Sequence, residues 1–406
     1  MIGLPLTHTT PLESRAALVH DWLPVYGGAE RVLEQLISVL PQADLFSLID
    51  FLPSDQREFL GGRSVETSFI QRLPLARKHY RKYLPFVPVA IEGFDLTDYD
   101  VVVSSSYVAA KGVLTNVDQL HVSYVHSPVR YAWDLQFQYL RDGGYDRGLK
   151  RIAARLLLHY FRLYDAISAD RVDYFVANSH HVARRIWKTY RRSSAVVHPP
   201  VDTGSFELFQ EKEDFYVTVG RLVPYKRVDL LVEAFNEMPG RELVVIGDGP
   251  ELSRLEKMAC SNVRVLGRQP SSALTYYLQR ARGFVFAAHE DFGIAPLEAQ
   301  ACGTPTIAYG RGGALETVGP GVSGVFFREQ SVEAVCDAVK RFEREHFEPE
   351  VVREQAERFS VEQFRARFSG VLEEAWDRFT REGQIGDGMP WGHVATTDSR
   401  SYANLL

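Results

Sequence analysis

Short valine-rich runs recur along this sequence, and stretches of helical periodicity separate them. The first half contains AALVH, DVVVSSS, HVSYVH and YFVANS, and the second contains FYVTVGRL, ELVVIGDGP, NVRVLGR, GFVFAAHE and TPTIAYG. Uninterrupted apolar strands that alternate with helices are typical of parallel sheets covered on both faces. Because 406 residues exceed the usual size of one domain, the pattern predicts an α/β fold of two Rossmann-like, doubly wound parallel-sheet domains that face a cleft.

The predicted boundary between the domains lies near Pro200, where VVHPPVDTGSF interrupts the alternation with two prolines and a glycine. Residues 1–200 form the predicted N-terminal domain and 201–360 the C-terminal domain. A helix over 361–382 is expected to pack back on the first domain. Residues 383–406 lack periodicity and are predicted to form a mobile tail.

Composition excludes several classes of protein. The apolar fraction of 45% and the charged fraction of 24% are ordinary for a globular protein, and a net charge of −6 does not indicate a nucleic-acid binder. No apolar run approaches the roughly 20 residues that span a bilayer. Three scattered cysteines without CxxC spacing indicate a reducing compartment and no zinc site, so a cytoplasmic protein is expected: Cys260, Cys302 and Cys336.

The stretch HEDFGIAPLEAQACGTP places Glu290 and Glu298 eight residues apart. PLEAQA should be a helix that begins at Ala295 or Pro296, since proline suits the first position, and the loop before it must lie at the carboxyl edge of the sheet, where ligands bind. Free N–H groups at this helix start, with Gly293 allowing close approach, predict a phosphate site. Glu298, in the first turn, would then accept hydrogen bonds from vicinal hydroxyls. Alternatively, Glu298 only complements the helix dipole and Glu290 is a solvated loop residue.

Three other segments extend this interpretation. In GRLVPYK, Arg221 and Lys226 follow a strand and can neutralise a diphosphate, although solvation or a carboxylate partner would also explain them. IGDGP and GGALETV, with Glu316 in the second, supply glycine loops that could equally be ordinary turns. YGGAER supplies a further strand-to-helix glycine turn without the full GxGxxG fingerprint, which disfavours a dinucleotide-dependent dehydrogenase.

In this order and spacing, GGAER, GRLVPYK, IGDGP, EDFGIAPLEAQACGTP and GGALETV resemble the retaining nucleotide-sugar glycosyltransferases of family 4, which have the GT-B fold. Glu290 and Glu298 match the E-x7-E motif of that family, and the resemblance extends from Ala16 to near Arg381. HDWLPVYGGAER and HSPVRYAWD resemble, more narrowly, bacterial mannosyltransferases that use GDP-mannose to build O-antigen and exopolysaccharide on lipid carriers.

The resemblance implies a role for each matched residue. Arg221 and Lys226 would bind the donor diphosphate, and Glu298 its ribose. Glu290 would hold the donor sugar, which His126 of HSPVRY would contact near the reacting carbon, although a strand-end histidine is otherwise often structural. Glycine loops, backbone groups and an arginine near the base complete the implied donor site: Gly27, Gly28, Gly247, Arg268, Phe292, Gly293, Ile294 and Ala295.

The resemblance also implies retention of configuration, with the leaving phosphate as the base and Glu290 as a sugar holder, not a nucleophile. Negative charge develops on the leaving diphosphate, and Arg221, Lys226 and the helix start near Ala295 are suited to stabilise it. Neither a metal nor a cofactor beyond the nucleotide sugar is therefore expected.

Two basic and apolar segments of the first half suggest the acceptor side. Thr67–Ile91 has no acidic residue, and Arg147–Asp165 repeats its pattern. Such segments are typical of contacts with anionic lipid, although basic surfaces are usually only solvated. A polyprenyl-diphosphate-linked oligosaccharide acceptor at the inner face of the cytoplasmic membrane would account for both features. The cations of the first segment are Arg72, Arg77, Lys78, Arg81 and Lys82.

Other functions stay open at this stage. A UDP-sugar-dependent transferase of the same fold differs only in the donor. A sugar-nucleotide epimerase or a phosphorylase would use the same scaffold without an oligosaccharide acceptor, and an inactive relative would only bind a nucleotide sugar.

Overall fold

The computed structural model describes residues 10–386, and the first part of the chain forms a parallel sheet with flanking helices. Its elements are β1 (Ala16–His20), α1 (Gly28–Val39), β2 (Asp44–Ser47), β3 (Val65–Thr67), α2 (Ala76–His79), α3 (Val87–Glu92), β4 (Val101–Ser106), β5 (Leu120–Val125), α4 (Gln136–Asp142), α5 (Gly148–Ser168), β6 (Tyr174–Ala177), α6 (His180–Tyr190) and β7 (Ala195–Val196).

The second part repeats this architecture and ends in three helices. Its elements are β8 (Glu213–Val219), α7 (Val228–Asn236), β9 (Glu242–Ile246), α8 (Leu252–Met258), β10 (Val263–Gly267), α9 (Ser271–Arg280), β11 (Ala281–Phe286), α10 (Ile294–Ala301), β12 (Thr306–Tyr309), α11 (Ala314–Thr317), β13 (Gly324–Phe327), α12 (Val332–Phe342), α13 (Pro349–Glu357) and α14 (Val361–Gly386).

The strands form two separate parallel sheets. The order is β3-β2-β1-β4-β5-β6-β7 in the first sheet and β10-β9-β8-β11-β12-β13 in the second. All six residues of β4 are buried, as expected where helices cover both faces of a parallel sheet. The predicted fold class, two doubly wound α/β domains, is confirmed.

Both faces of the first sheet carry apolar cores. Along β1, Leu18 faces the core shared with α1 and α14, whereas Val19 faces the core shared with α3 and α5. Phe364 and Phe368 of α14 stack in parallel within the first of these cores. The last helix therefore leaves the second domain and packs on the first.

The chain crosses between the domains twice at one place. Val201 lies in the first crossing, and its N–H donates to the carbonyl of Phe359 in the second, at 2.9 Å. Two adjacent crossings form a natural hinge. The sequence analysis missed α13, and α14 continues to Gly386, four residues beyond the predicted end. The remainder of the predicted tail, 387–406, lies outside the described residues.

Within the described residues, no helix is long and apolar enough to cross a membrane. The three cysteines are all free.

Candidate functional site

The loop after β11 and the start of α10 form one wall of the cleft between the sheets. The helix begins at Ile294, with Gly293 in a left-handed conformation (φ +91°) as its N-cap. It starts before the predicted Ala295 or Pro296, and Pro296 occupies the third position. Glu298 consequently lies in the second turn, not the first, and only 7% of its surface is exposed. Because the helix dipole acts mainly within the first turn, dipole compensation does not account for this buried carboxylate.

Lys226 and Glu290 form an ion pair in this wall. Lys226 ends a short 3₁₀ turn after β8, and its Nζ contacts Oε1 of Glu290. Both side chains are largely shielded from solvent, and Nζ lies 5.9 Å from the centre of the Phe286 ring at the end of β11. Glu290 is therefore not a solvated loop residue, and Lys226 has the carboxylate partner that the sequence left open.

Arg221 lies at the end of β8, near this pair. Its side chain is exposed and makes no hydrogen bond or ion pair with any other described residue. A Cβ on the neighbouring Gly220 would lie 3.7 Å from Lys226 Nζ, so both cations belong to the same strand end. Since Glu290 neutralises Lys226, the guanidinium supplies a net positive charge that an anion can use.

The N-terminus of α1 forms the opposite wall. A Cβ on Gly28 would lie 3.4 Å from Cδ1 of Ile294, and Arg31 Nη1 donates to Glu298 Oε1 at 2.5 Å. Burial disfavours the charged guanidinium, but the charge and hydrogen bond of Glu298 outweigh it and raise the pKa of Arg31. Gly27 and Gly28 thus lie close to Glu298. Arg31 joins the two walls, and the sequence analysis did not select it although it is part of GGAER.

Asp291 is a second contact between the domains that the sequence analysis missed. Arg185 Nη1 of α6 donates to Asp291 Oδ1 at 2.6 Å, and Arg130 Nη1 lies 3.4 Å from Oδ2. Ser179 Oγ donates to the Asp291 carbonyl at 2.6 Å. The loop that carries Glu290 is thereby held against the first domain by its neighbouring residue.

Glu316, which follows the glycine loop of GGALETV, contacts the other domain. Its carboxylate accepts the backbone N–H groups of His180 and His181, both at 2.9 Å, and so caps α6 of the other domain. His198 Nε2 lies 2.9 Å away and must donate. Burial favours the protonated acid, but these three hydrogen bonds outweigh it and lower the pKa of Glu316. The residue joins the domains at the hinge.

His180, His198 and Glu316 are also the one group within the described residues whose side chains could together hold a metal ion. Two guanidinium groups, those of Arg358 and Arg367, line the same cavity. Both would repel a cation, and we assign no metal to this group.

His126 follows β5, and its Nε2 lies 2.9 Å from Ser105 Oγ. Burial lowers the pKa of His126 to about 3, with a smaller electrostatic contribution from the nearby His20 ring. Because an imidazole is neutral above its pKa, His126 carries no charge at neutral pH. Asn178 Nδ2 donates to the His126 carbonyl at 2.9 Å and fixes the backbone at this strand end.

The remaining predicted donor-site residues have varied surroundings. A Cβ on Gly247 would lie 1.8 Å from a carbonyl oxygen of the loop after β8, so backbone packing alone requires glycine there. Arg268 is exposed after the edge strand β10. The buried ring of Phe292 packs against His198 and Phe359, at centroid distances of 5.5 and 5.6 Å. Its side chain is therefore engaged in packing between the domains and is not available to a ligand.

Comparison with known proteins agrees with this architecture. Residues 26–205 match the family model Glycosyltransferase Family 4, and residues 203–359 match the model Glycosyl transferases group 1. Anabaena Alr3699/HepE, solved with UDP and glucose, is similar with a TM-score of 0.65 at 16% identity, covering 88% of this chain and 98% of that one. The lipopolysaccharide outer core galactosyltransferase WaaB, in its apo form, gives 0.61 at 16% identity, with 88% and 99% covered.

Curated relatives match over shorter segments. The D-inositol 3-phosphate glycosyltransferase of Mycobacterium avium (strain 104) is 30% identical over 195 residues, 42% of this chain and 46% of that protein. The GDP-mannose-dependent alpha-(1-6)-phosphatidylinositol monomannoside mannosyltransferase of Mycolicibacterium smegmatis is 34% identical over 140 residues, 30% of this chain and 37% of that protein. These matches span less than half the length of each relative.

Two parallel-sheet domains around a cleft, together with the similarity to these solved structures, define the GT-B class of fold. The two family models match consecutive segments that together span residues 26–359. The chain belongs to the GT-B glycosyltransferases of group 1 and family 4.

Proposed function

We propose that this protein is a retaining glycosyltransferase that moves mannose from GDP-mannose to a lipid-linked oligosaccharide during surface polysaccharide synthesis. The observation that carries the proposal is the ion pair between Lys226 and Glu290, beside the exposed guanidinium of Arg221 and the N-terminus of α10. This arrangement places cationic groups that can bind a diphosphate next to a carboxylate that can bind the attached sugar.

A donor would rearrange this pair. The diphosphate would draw Lys226 away from Glu290 because a doubly charged anion attracts the ammonium more strongly than a single carboxylate does. Glu290 would then accept hydrogen bonds from sugar hydroxyls. As the bond to the anomeric carbon breaks, Arg221, Lys226 and the N–H groups of α10 would stabilise the leaving diphosphate.

The choice of mannose and guanine rests on likeness. HDWLPVYGGAER and HSPVRYAWD resemble GDP-mannose-dependent enzymes, and one curated relative is named for that donor. The solved neighbour with bound UDP supports the alternative, a UDP-sugar-dependent transferase of the same fold. Metal independence is part of the proposal, because the two cations and the helix can neutralise the leaving group.

Calorimetric titration of GDP and of UDP, with EDTA present, tests the donor. We expect GDP to bind at least tenfold more tightly than UDP without added metal, a difference of about 1.4 kcal/mol. A preference for UDP would refute the choice of GDP and retain the nucleotide site. If neither nucleotide bound, the proposal would lose its basis. If Mg²⁺ then restored nucleotide binding, metal independence would be contradicted instead.

The acceptor side of the proposal rests on one exposed surface of the first domain. The segment 67–91 and α5 both pack on the core that contains Val19. All five predicted cations of the segment are exposed, as are Leu75 and Phe86. Along α5 the exposed apolar side chains recur every three or four residues and form a stripe: Leu149, Ile152, Leu156, Tyr160, Leu163 and Ile167. Basic side chains beside an apolar stripe suit an anionic membrane surface.

Sedimentation with vesicles tests this surface. We expect the protein to bind vesicles of phosphatidylglycerol and phosphatidylcholine. The double substitution Ile152→Ser with Leu156→Ser is expected to weaken this binding about 10²- to 10⁴-fold, since the burial of two such side chains contributes about 3–6 kcal/mol. Val117→Ser is the control, because Val117 is 89% exposed and lies in the loop before β5, outside α5. Equal binding by the double variant, or none by the wild type, would contradict the membrane contact.

A further inference from the structure

A buried chain of hydrogen bonds leads from the glycine loop of α1 to His126. Gly27 N–H donates to Glu30 Oε2 at 2.9 Å, and Glu30 Oε1 lies 3.4 Å from His20 Nε2. His20 Nδ1 lies 3.0 Å from Ser105 Oγ, which lies 2.9 Å from His126 Nε2. The three intermediate residues are 1–5% exposed. The adjacent strands β1 and β4 hold His20 and Ser105 in register, and β5 lies beside β4.

The donor and the acceptor in each of these hydrogen bonds follow from the carboxylate of Glu30. A carboxylate only accepts hydrogen bonds, so His20 Nε2 must carry a proton toward Glu30. The separation of 3.4 Å exceeds the 2.7–2.9 Å typical of a charge-assisted pair, which favours a neutral His20. Its Nδ1 then accepts from the Ser105 hydroxyl. Because the Ser105 hydroxyl donates its proton to His20, its oxygen accepts a hydrogen bond from Nε2–H of His126.

We propose that Glu30, His20 and Ser105 are positioning residues that fix His126 in the Nε2–H tautomer, so that its Nδ1 is a hydrogen-bond acceptor. Nδ1 makes no hydrogen bond with any described residue and is not among the fully buried unpaired atoms. It accepts a hydrogen bond from a hydroxyl of the donor sugar. This last step rests on the proposed function, whereas the tautomer does not.

Glu30→Gln reverses the chain without changing its shape. The single amide oxygen accepts from Gly27 N–H, and the amide nitrogen donates to His20 Nε2. His20 then carries its proton on Nδ1 and donates it to Ser105, and the Ser105 hydroxyl donates to His126 Nε2. His126 is left with a proton on Nδ1 and offers a donor where the wild type offers an acceptor.

Long-range ¹H–¹⁵N correlation spectra of the full chain, labelled with ¹⁵N-histidine, test the tautomer. Spectra of His126→Ala and His20→Ala assign the two rings. At pH 7.5 we expect Nε2–H at both in the wild type and Nδ1–H at both in Glu30→Gln. Glu34→Gln, one turn along α1, is the matched control, because Glu34 accepts a hydrogen bond from Tyr26 OH and takes no part in the hydrogen bonds between Glu30 and His126. A wild-type His126 with Nδ1–H or two protons, or an unchanged tautomer in Glu30→Gln, would refute the proposal.

A second pair of variants covers a failure of Glu30→Gln to fold. Ser105→Ala removes the link and is expected to release His126 into a mixture of tautomers, and Ser105→Thr, which keeps the hydroxyl, is expected to restore Nε2–H. A single Nε2–H tautomer in Ser105→Ala would refute the role of the link.

Calorimetry separates this inference from the proposed function. Glu30→Gln is expected to weaken GDP-mannose binding about tenfold, since one hydrogen bond is lost and one group is left unpaired, and to leave GDP binding within twofold. If the tautomers are as expected but the protein binds no sugar nucleotide, the proposed function is refuted and the positioning role is retained. If the tautomers are as expected but Glu30→Gln weakens GDP binding as much as GDP-mannose binding, the contact with the sugar is refuted.

Discussion

Replacing Glu290 by alanine is expected to lower the turnover of GDP-mannose by a factor of about 10²–10³, while GDP binds at least as tightly as before. The carboxylate holds the donor sugar in the proposed complex, so its loss affects the sugar and not the nucleotide. In the free protein the same carboxylate pairs with Lys226, and its removal frees that ammonium for the diphosphate. Release of GDP from GDP-mannose measures turnover, and calorimetry measures GDP binding.

Two variants make this result specific to Glu290. Glu256→Ala, at an exposed position of α8, controls for the loss of one negative charge and should retain wild-type turnover. Glu290→Gln keeps the shape and some hydrogen bonding, so an intermediate rate is expected. Turnover unchanged in Glu290→Ala would exclude Glu290 from the transfer reaction, and unchanged turnover in His126→Ala would exclude His126 in the same way.

Lys226→Ala should weaken GDP binding by a factor of about 10² or more, because truncating one member of a shielded charge pair costs about 2–5 kcal/mol. The variant loses an ammonium from the diphosphate and also leaves Glu290 unpaired beside that anion. We therefore expect a larger loss than for Arg221→Ala, whose guanidinium is exposed and has no partner within the described residues. Calorimetry without added metal gives the three affinities.

The double variant Lys226→Ala with Glu290→Ala distinguishes the two causes. If repulsion from the unpaired carboxylate contributes, the double variant binds GDP more tightly than Lys226→Ala alone, which is a coupling that a double-mutant cycle measures. Lys340→Ala, on the exposed side of α12, is the control for the loss of a lysine. Wild-type affinity in Lys226→Ala would exclude this lysine from the diphosphate site.

Much of this protein could be predicted because its signals are local in sequence. Valine-rich runs between helical stretches predict strands buried on both faces, and these strands form the two parallel sheets. A glycine loop after a strand and before a helix lies at the carboxyl edge by topology alone. The position of α10 was predicted from Pro296, but its start was misplaced because proline occupies the third helical position, where a missing N–H is also harmless.

The contacts that close the cleft could not be predicted in this way. Arg31 and Glu298 are 267 residues apart, and Arg185 and Asp291 are 106 apart. Each has an ordinary local context, which is a short helix for Arg31, Arg185 and Glu298 and a loop for Asp291. Nothing in such a context specifies a partner, because the pairing energy arises only after both domains have folded and faced each other.

The sequence by itself determined the class of fold, the position of the cleft and the residue types that line it, because hydrophobic periodicity and glycine placement act over a few residues. Only the tertiary structure decided which charges neutralise one another, that Glu316 caps a helix of the other domain, and that His126 is connected to Glu30. Those outcomes depend on distances between segments distant in the chain, which burial and strand register establish together.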